Sequence, residues 1–322
     1  MGTRTCTYYT GTITGQAGAL VTLFDTVLVT GEGWTRTYYN AGTHEAVYQQ
    51  AGGNGFSFYV NDNGTGAGAA REAIVRGCES ATAYNVLVDP FPTVGQVADA
   101  SCVWRKSSTA DATARTYWAV ADDRNLVLII RDSATTADVF WFCDVEKFAP
   151  SDNYATIINN RGAANSATAA IAVTVGLNLG LSTNLGGNQR AYVARTSDGT
   201  IKSSTAAHMC VGTGSNSFGL AAASGVATYP GPSAKLVLAP VWVNSTGATT
   251  AVPGASAELR GCLPFLFTPM HGNTKGSIAD LDTFTASAYD ASSAFLIIGL
   301  TAGNINAATV ILQTAGTWDC GM

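Results

Sequence analysis

A chain of 322 residues is long enough for one large or two ordinary domains, and 47% apolar residues fill a core readily. Charged residues make up only 12%, about half the usual share. The net charge of −5, with scattered Lys and Arg, excludes the basic stripe of a nucleic-acid binder. No apolar run approaches the ~20 residues of a membrane-spanning helix. Disorder is excluded too, because 6 Trp, 12 Tyr and 12 Phe give the chain ample surface to bury.

The opening stretch MGTRTCTYYTG has no apolar h-region, so no secretory signal is expected, and Cys6 replaces the Ser or Thr of a myristoylation motif. Residues 16–30 follow with Leu20, Leu23, Phe24, Val27 and Leu28 at helical spacing. They predict a helix with Gly31 as its C-terminal cap. The texture then changes. Trp34–Tyr39, Ala46–Gln50 and Phe56–Val60 are aromatic and β-branched, separated by Gly-rich turns at Ala51–Gly55 and Asn61–Gly64. They read as an antiparallel meander.

Further strands are expected at Arg71–Gly77, Cys102–Lys106, Thr116–Val120, Leu126–Ile130 and Val139–Cys143. Asp89-Pro-Phe-Pro92 interrupts them as a long connection. Near Ala149-Pro150 the composition shifts toward Ala, Gly, Asn, Ser and Thr, with a short apolar run at Ile171–Val175. Lys235–Val243, Ala294–Ile298 and Thr309–Gln313 then read as strands. The predicted fold is mainly β: antiparallel, sandwich- or barrel-like strands with a short N-terminal helix. Two regions are drawn, 1–155 with the helix and 156–322 as a second β-rich region or the far half of one large domain.

No constellation points to chemistry. Asp122-Asp123-Arg124 between two strong strands reads as a turn whose carboxylates bond backbone amides, rather than as an acid site. Asn61-Asp-Asn-Gly-Thr-Gly66 lacks the carboxylates of a calcium loop and reads as a hairpin turn. Gly212–Gly219 lacks the Lys of a phosphate-binding loop. His44, His208 and His271 stand far apart, which is poor spacing for zinc, and His208-Met-Cys210 reads as packing. Asp280 with Asp282, and Asp144 with Glu146, are sequence neighbours with no assurance of a cleft between them. Trp34, Trp104, Trp118 and Trp141 are assigned to the core. The seven cysteines, Cys6, Cys78, Cys102, Cys143, Cys210, Cys262 and Cys320, form no CxxC and are odd in number, so buried reduced thiols are expected. The sequence therefore assigns no catalytic, cofactor-binding or metal-binding residue.

Several blocks taken together resemble a family of tailed-bacteriophage virion structural proteins. They run through Ala17-Gly-Ala-Leu20, Val27–Gly31, Gly33-Trp34, Phe58–Asp62 and Ala70–Glu79. They continue through Phe91-Pro-Thr93, Arg105-Lys-Ser107, Ala110–Arg115, Trp118–Arg124, Phe142-Cys-Asp144 and Ser151–Tyr154. The resemblance covers about residues 16–160; at Cys143 the family pattern has Gly. It implies a β-rich, non-enzymatic subunit, made in the bacterial host cytoplasm and residing in the virion. Its expected partners are copies of itself and other phage structural proteins, with no cofactor, nucleic acid, membrane or small-molecule substrate. Tail, baseplate or collar is the first expectation. A capsid decoration protein, or a receptor-binding adhesin or glycan depolymerase, are the alternatives, separated by location in the particle and by action on host polysaccharide.

Overall fold

The computed structural model describes residues 4–63, 69–94, 100–134, 136–159, 191–197, 199–200, 209–212, 238–246, 257–269, 279–285, 292–300 and 309–318. The fold is mainly β, with antiparallel ladders and one short helix near the N-terminus. Asn125–Ile130 (NLVLII) and Asp138–Asp144 (DVFWFCD) are buried along their whole length. An unbroken apolar run of strand length fits only where both faces of the sheet are covered. These two strands lie at the centre of a six-stranded sheet with spatial order Ala191–Val193, Thr156–Asn159, Asp138–Asp144, Asn125–Ile130, Arg115–Ala121, Thr7–Ile13.

Because side chains alternate along a strand, the middle sheet feeds two cores. Val127, Ile129, Trp141, Ile157 and Val193 point to one side and pack with Leu263, Phe265, Ile297 and Ile311. These partners belong to a seven-stranded sheet built on Leu238–Thr246, Ala257–Pro269, Thr309–Ala315 and Ala294–Gly299, with Met209–Gly212 and Thr283–Thr285 at its ends and Glu146–Lys147 beside Ala257–Pro269. Leu126, Leu128, Phe140, Phe142, Ile158 and Tyr192 point to the other side. There they meet the five-stranded sheet of Thr35–Asn40, Glu45–Gln49, Ser57–Asn61, Glu72–Cys78 and Cys102–Arg105, together with the helix. The four tryptophans assigned to the core are all buried. Trp104 stacks on Phe140 at 5.1 Å between ring centroids, and Phe58 lies 5.1 Å from Phe142.

The helix begins at Ala19, three residues later than expected because Gly18 is left-handed (φ 81°); it buries Leu20, Leu23, Phe24, Val27 and Leu28 and widens into π-type turns over Asp25–Gly31. Gly31 is therefore not a left-handed cap. It is a packing position: a Cβ there would run into the Tyr9 hydroxyl, and the left-handed residue is Gly33 (φ 72°). Phe91, in the predicted connection, is buried on Gly77, where a Cβ would overlap its ring.

Several strands escape the sequence reading, and two of them are long. Thr7–Ile13 forms the edge of the middle sheet, paired in register with Arg115–Ala121. Ala257–Pro269 is a thirteen-residue strand despite its internal Gly261 and Pro264. Its register against Leu238–Thr246 jumps between Pro240 and Trp242, and Phe265 sits at φ 64°, so the irregular residues fall at a bulge. The Ile171–Val175 run lies outside the described residues. Hydrogen-bonded pairing passes without interruption from Phe142 to Ile158 and on to Tyr192, across the position where the 1–155 and 156–322 regions meet. Arg4–Thr5 also pairs with Thr317–Trp318, joining the two ends of the described chain.

Replacing Phe140 by Ala removes a ring that bridges two layers and leaves a cavity. A loss of about 3–5 kcal/mol is expected, read from the urea midpoint; a change below about 1 kcal/mol would mean that the middle sheet is not the shared core.

Candidate functional site

The residues that sequence reading singled out resolve into turns and clamps. Asp122 Oδ1 accepts the backbone N–H of Arg124 at 2.9 Å and of Asn125 at 2.8 Å, so the Asp122–Arg124 turn forms as expected. Its other oxygen accepts the Arg4 guanidinium at 2.9 Å, and Arg4 Nε donates to Glu146 at 3.0 Å. Burial pushes the Asp122 carboxyl up, opposed by Arg4 and Asn125. The Asp123 carbonyl accepts the amides of Ala51 and Gly52, tying the Gly-rich turn down.

Asp144 and Glu146 do stand beside one cavity, of about 170 Å³, lined also by Gly53, Asn54, Arg124 and Lys147. Their oxygens are already engaged. Asp144 accepts the Thr156 hydroxyl (2.6 Å), the Asn54 backbone N–H (2.7 Å) and Gln50 Nε2 (3.0 Å). Gly53, at φ 66°, is needed here because a Cβ would overlap Asp144 Oδ2. Burial pushes Asp144 up, with those hydrogen bonds opposing. Asp280 pairs with Arg131 at 2.7 Å and accepts the Gly299 N–H, while Asp282 accepts the Ala279 N–H. Among the described residues no group of three or more His, Cys, Asp or Glu is arranged to hold a metal. His208, His271 and positions 213–219 lie outside the described residues, and so does the His208–Cys210 pair. Cys6, Cys78, Cys102, Cys143 and Cys262 are unbridged thiols, and burial pushes those of Cys6 and Cys78 up to about 12, which leaves them unreactive. Cys143, where the family pattern has Gly, lies inside a strand with its thiol donating to the Leu126 carbonyl. The side chains of Cys210 and Cys320 lie outside the described set.

Sequence reading missed a different cluster. Ser57–Asn61 and Cys102–Arg105 run parallel on either side of Glu72–Cys78, so the residues that follow them, Asp62 and Lys106, emerge at the same end of the sheet. Both side chains have no exposed surface, and Lys106 Nζ donates to Asp62 Oδ1. Asp62 Oδ2 accepts the Leu20 N–H at 2.6 Å, so a residue 42 positions away supplies the helix cap that Gly18 lacks. Burial raises the Asp62 carboxyl and lowers the Lys106 amine, each opposed by the charge of the other. No local pattern pairs positions this far apart. Asn61 does accept the Asn63 N–H, as a turn requires, but Gly64–Gly66 lie outside the described residues.

Three more ion pairs tie distant segments, one buried on Arg260 and two part-exposed on Arg195. Arg260 forks onto Asp152 and donates to the Arg195 carbonyl at 3.0 Å. Arg195 clamps Glu79 and Asp89, the two legs of the Ser80–Ala83 and Val86–Val88 hairpin.

No protein-family model matches the chain, and a search of curated proteins finds no match.

Lys106→Met strands the Asp62 carboxylate in the core and is expected to cost about 3–5 kcal/mol. The double variant with Asp62→Asn removes both charges and should cost less than the single one; equal losses would show that burial of the unpaired charge is not the penalty.

The raised carboxyls set a pH dependence of definite sign. A folded value above the unfolded one contributes stability that is complete below the ordinary Asp range and disappears as pH rises through the folded value. Asp144 and Asp122 both have this sign. The urea midpoint should therefore rise as pH is lowered from neutrality toward the ordinary Asp range, and Asp144→Asn should flatten that rise. A midpoint that falls over the same interval in the unmodified chain contradicts the assignment.

Proposed function

We propose that the chain is a structural subunit of a tailed-phage virion, in the tail, baseplate or collar, that works by packing against copies of itself and neighbouring particle proteins. The reading is supported by the blocks of resemblance between about residues 16 and 160 and by the low charge content. The observation that carries it is where the charges lie. Arg4, Lys106, Arg195 and Arg260, with the carboxylates of Asp62, Asp122, Glu146 and Asp152, are turned inward to join layers. A chain already poor in ions thereby keeps still fewer outside.

Low charge content leaves few of the groups that keep a free protein apart from others. Thr22, Thr26 and Thr30 line the outer face of the helix, and the edge strand Thr35–Asn40 (TRTYYN) is largely exposed. The Arg195-clamped hairpin presents Val86 at 51% and Val88 at 39% exposure, with Val94 nearby in the chain at 76%. Charge-depleted surface with exposed aromatic and aliphatic groups is the make-up of an interface core.

Static light scattering behind size exclusion tests the reading. The purified chain should elute as an oligomer, or assemble as concentration rises. A monomer that persists at high concentration would overturn the proposal.

A further inference from the structure

We propose that Asp62 and Lys106 become covalently joined, the Lys106 amine forming an amide with the Asp62 side-chain carboxyl inside the folded protein.

The geometry places nucleophile and carbonyl together. Lys106 Nζ is in contact with Asp62 Oδ1 and lies 3.5 Å from the Asp62 backbone carbonyl, in a site from which solvent is excluded on both sides. The other carboxyl oxygen, Oδ2, accepts the backbone N–H of Leu20 at 2.6 Å. That donor is aimed where negative charge develops when an amine adds to the carboxyl carbon. The supporting structure is rigid: Lys106 N–H is bonded to the Arg71 carbonyl, Asp62 N–H to the His44 carbonyl, and both residues continue strands of one sheet. Holding the two groups together turns a bimolecular encounter into an intramolecular one.

Burial raises the carboxyl and lowers the amine, which favours the uncharged form of each. The step starts from that uncharged pair, with one proton passed from Nζ to Oδ1. The Nζ lone pair forms the bond to Cγ, and the carbonyl electrons move onto Oδ2 beside the Leu20 N–H. A proton then moves from Nζ to the Oδ1 hydroxyl. The Cγ–Oδ1 bond breaks, Oδ1 departs as water, and Oδ2 regains its double bond. Nothing is oxidised or reduced, and no co-reactant is needed. The product ties the Ser57–Asn61 strand to the Cys102–Arg105 strand across the one between them, without separated charges in the core.

The test uses the full-length unmodified chain. Under denaturing conditions its intact mass should fall short of the sequence mass by one water. Proteolysis should yield a branched peptide joining Asp62 to Lys106, with no tryptic cleavage after Lys106. Lys106→Arg, which keeps the charge but not the amine, should show the full mass. The proposal is overturned if the folded wild-type chain has the full mass and releases the two peptides separately. It is equally overturned if the water loss maps to another pair or survives in Lys106→Arg. The reading of the chain as a virion subunit stands apart from these outcomes, since it is read from oligomerisation.

Discussion

A sheet with no wet face is the constraint from which the other features follow. The strands Asn125–Ile130 and Asp138–Asp144 are covered on both sides, so nowhere along their middle can an ion meet water. Charge is therefore pushed to strand ends, and a strand end in a three-layered protein lies where the layers meet. Asp122 follows Arg115–Ala121, Asp144 closes Asp138–Asp144, and Asp132 follows Asn125–Ile130. Each is buried and each is held by partners far away in sequence: Arg4 for Asp122, Gln50 and Asn54 for Asp144, Arg105 for Asp132. Desolvation makes such groups costly alone. Paired or fully hydrogen-bonded, they fix how one layer sits on the next.

How much of this was legible in the sequence depends on the range of the signal. Apolar runs such as Leu126–Ile130 and the alternation at Phe56–Val60 are local, and both became strands within a residue or so of their expected bounds. Thr7–Ile13 carries strand-forming Thr, Tyr and Ile but is interrupted by Gly11, which broke the local signal; the Arg115–Ala121 ladder holds it, with the Tyr117 ring close over Gly11. Ala257–Pro269 hid behind Gly261 and Pro264. Gly261 is explained by Glu146, whose carbonyl occupies the space of a Cβ. The Asp122 turn was readable because its bonds span only two or three residues. The Asp62–Lys106 contact was not, because it depends on two strands separated in the sheet by a third.

The same range argument bears on function. Composition reports the absence of charge but not its location, and location is what distinguishes a merely polar-neutral protein from one whose ions are turned inward. Here the inward placement has a double effect. It strengthens the joints between layers, and it leaves threonine, tyrosine and valine at the edges and on the clamped hairpin. Both effects suit a part that must be stiff before it is enclosed by neighbours.

Stiffness and enclosure are linked through the cost of ordering. A subunit that loses conformational freedom on assembly gives up part of its contact energy to that ordering. A subunit already fixed gives up less, and uncharged neighbours with modest contacts suffice. The Arg195 fork illustrates the point: Glu79 and Asp89 hold the hairpin legs while Val86 and Val88 face outward, so an otherwise marginal two-stranded ribbon is set in place before any partner arrives. The ends of the described chain are treated alike, with Arg4–Thr5 laid against Thr317–Trp318 and Arg4 anchored by Asp122 and Glu146. Ion pairs thus occupy the positions where a β-rich chain would otherwise fray, and the interior charge that looks wasteful for stability acts as the device that pre-forms the surface.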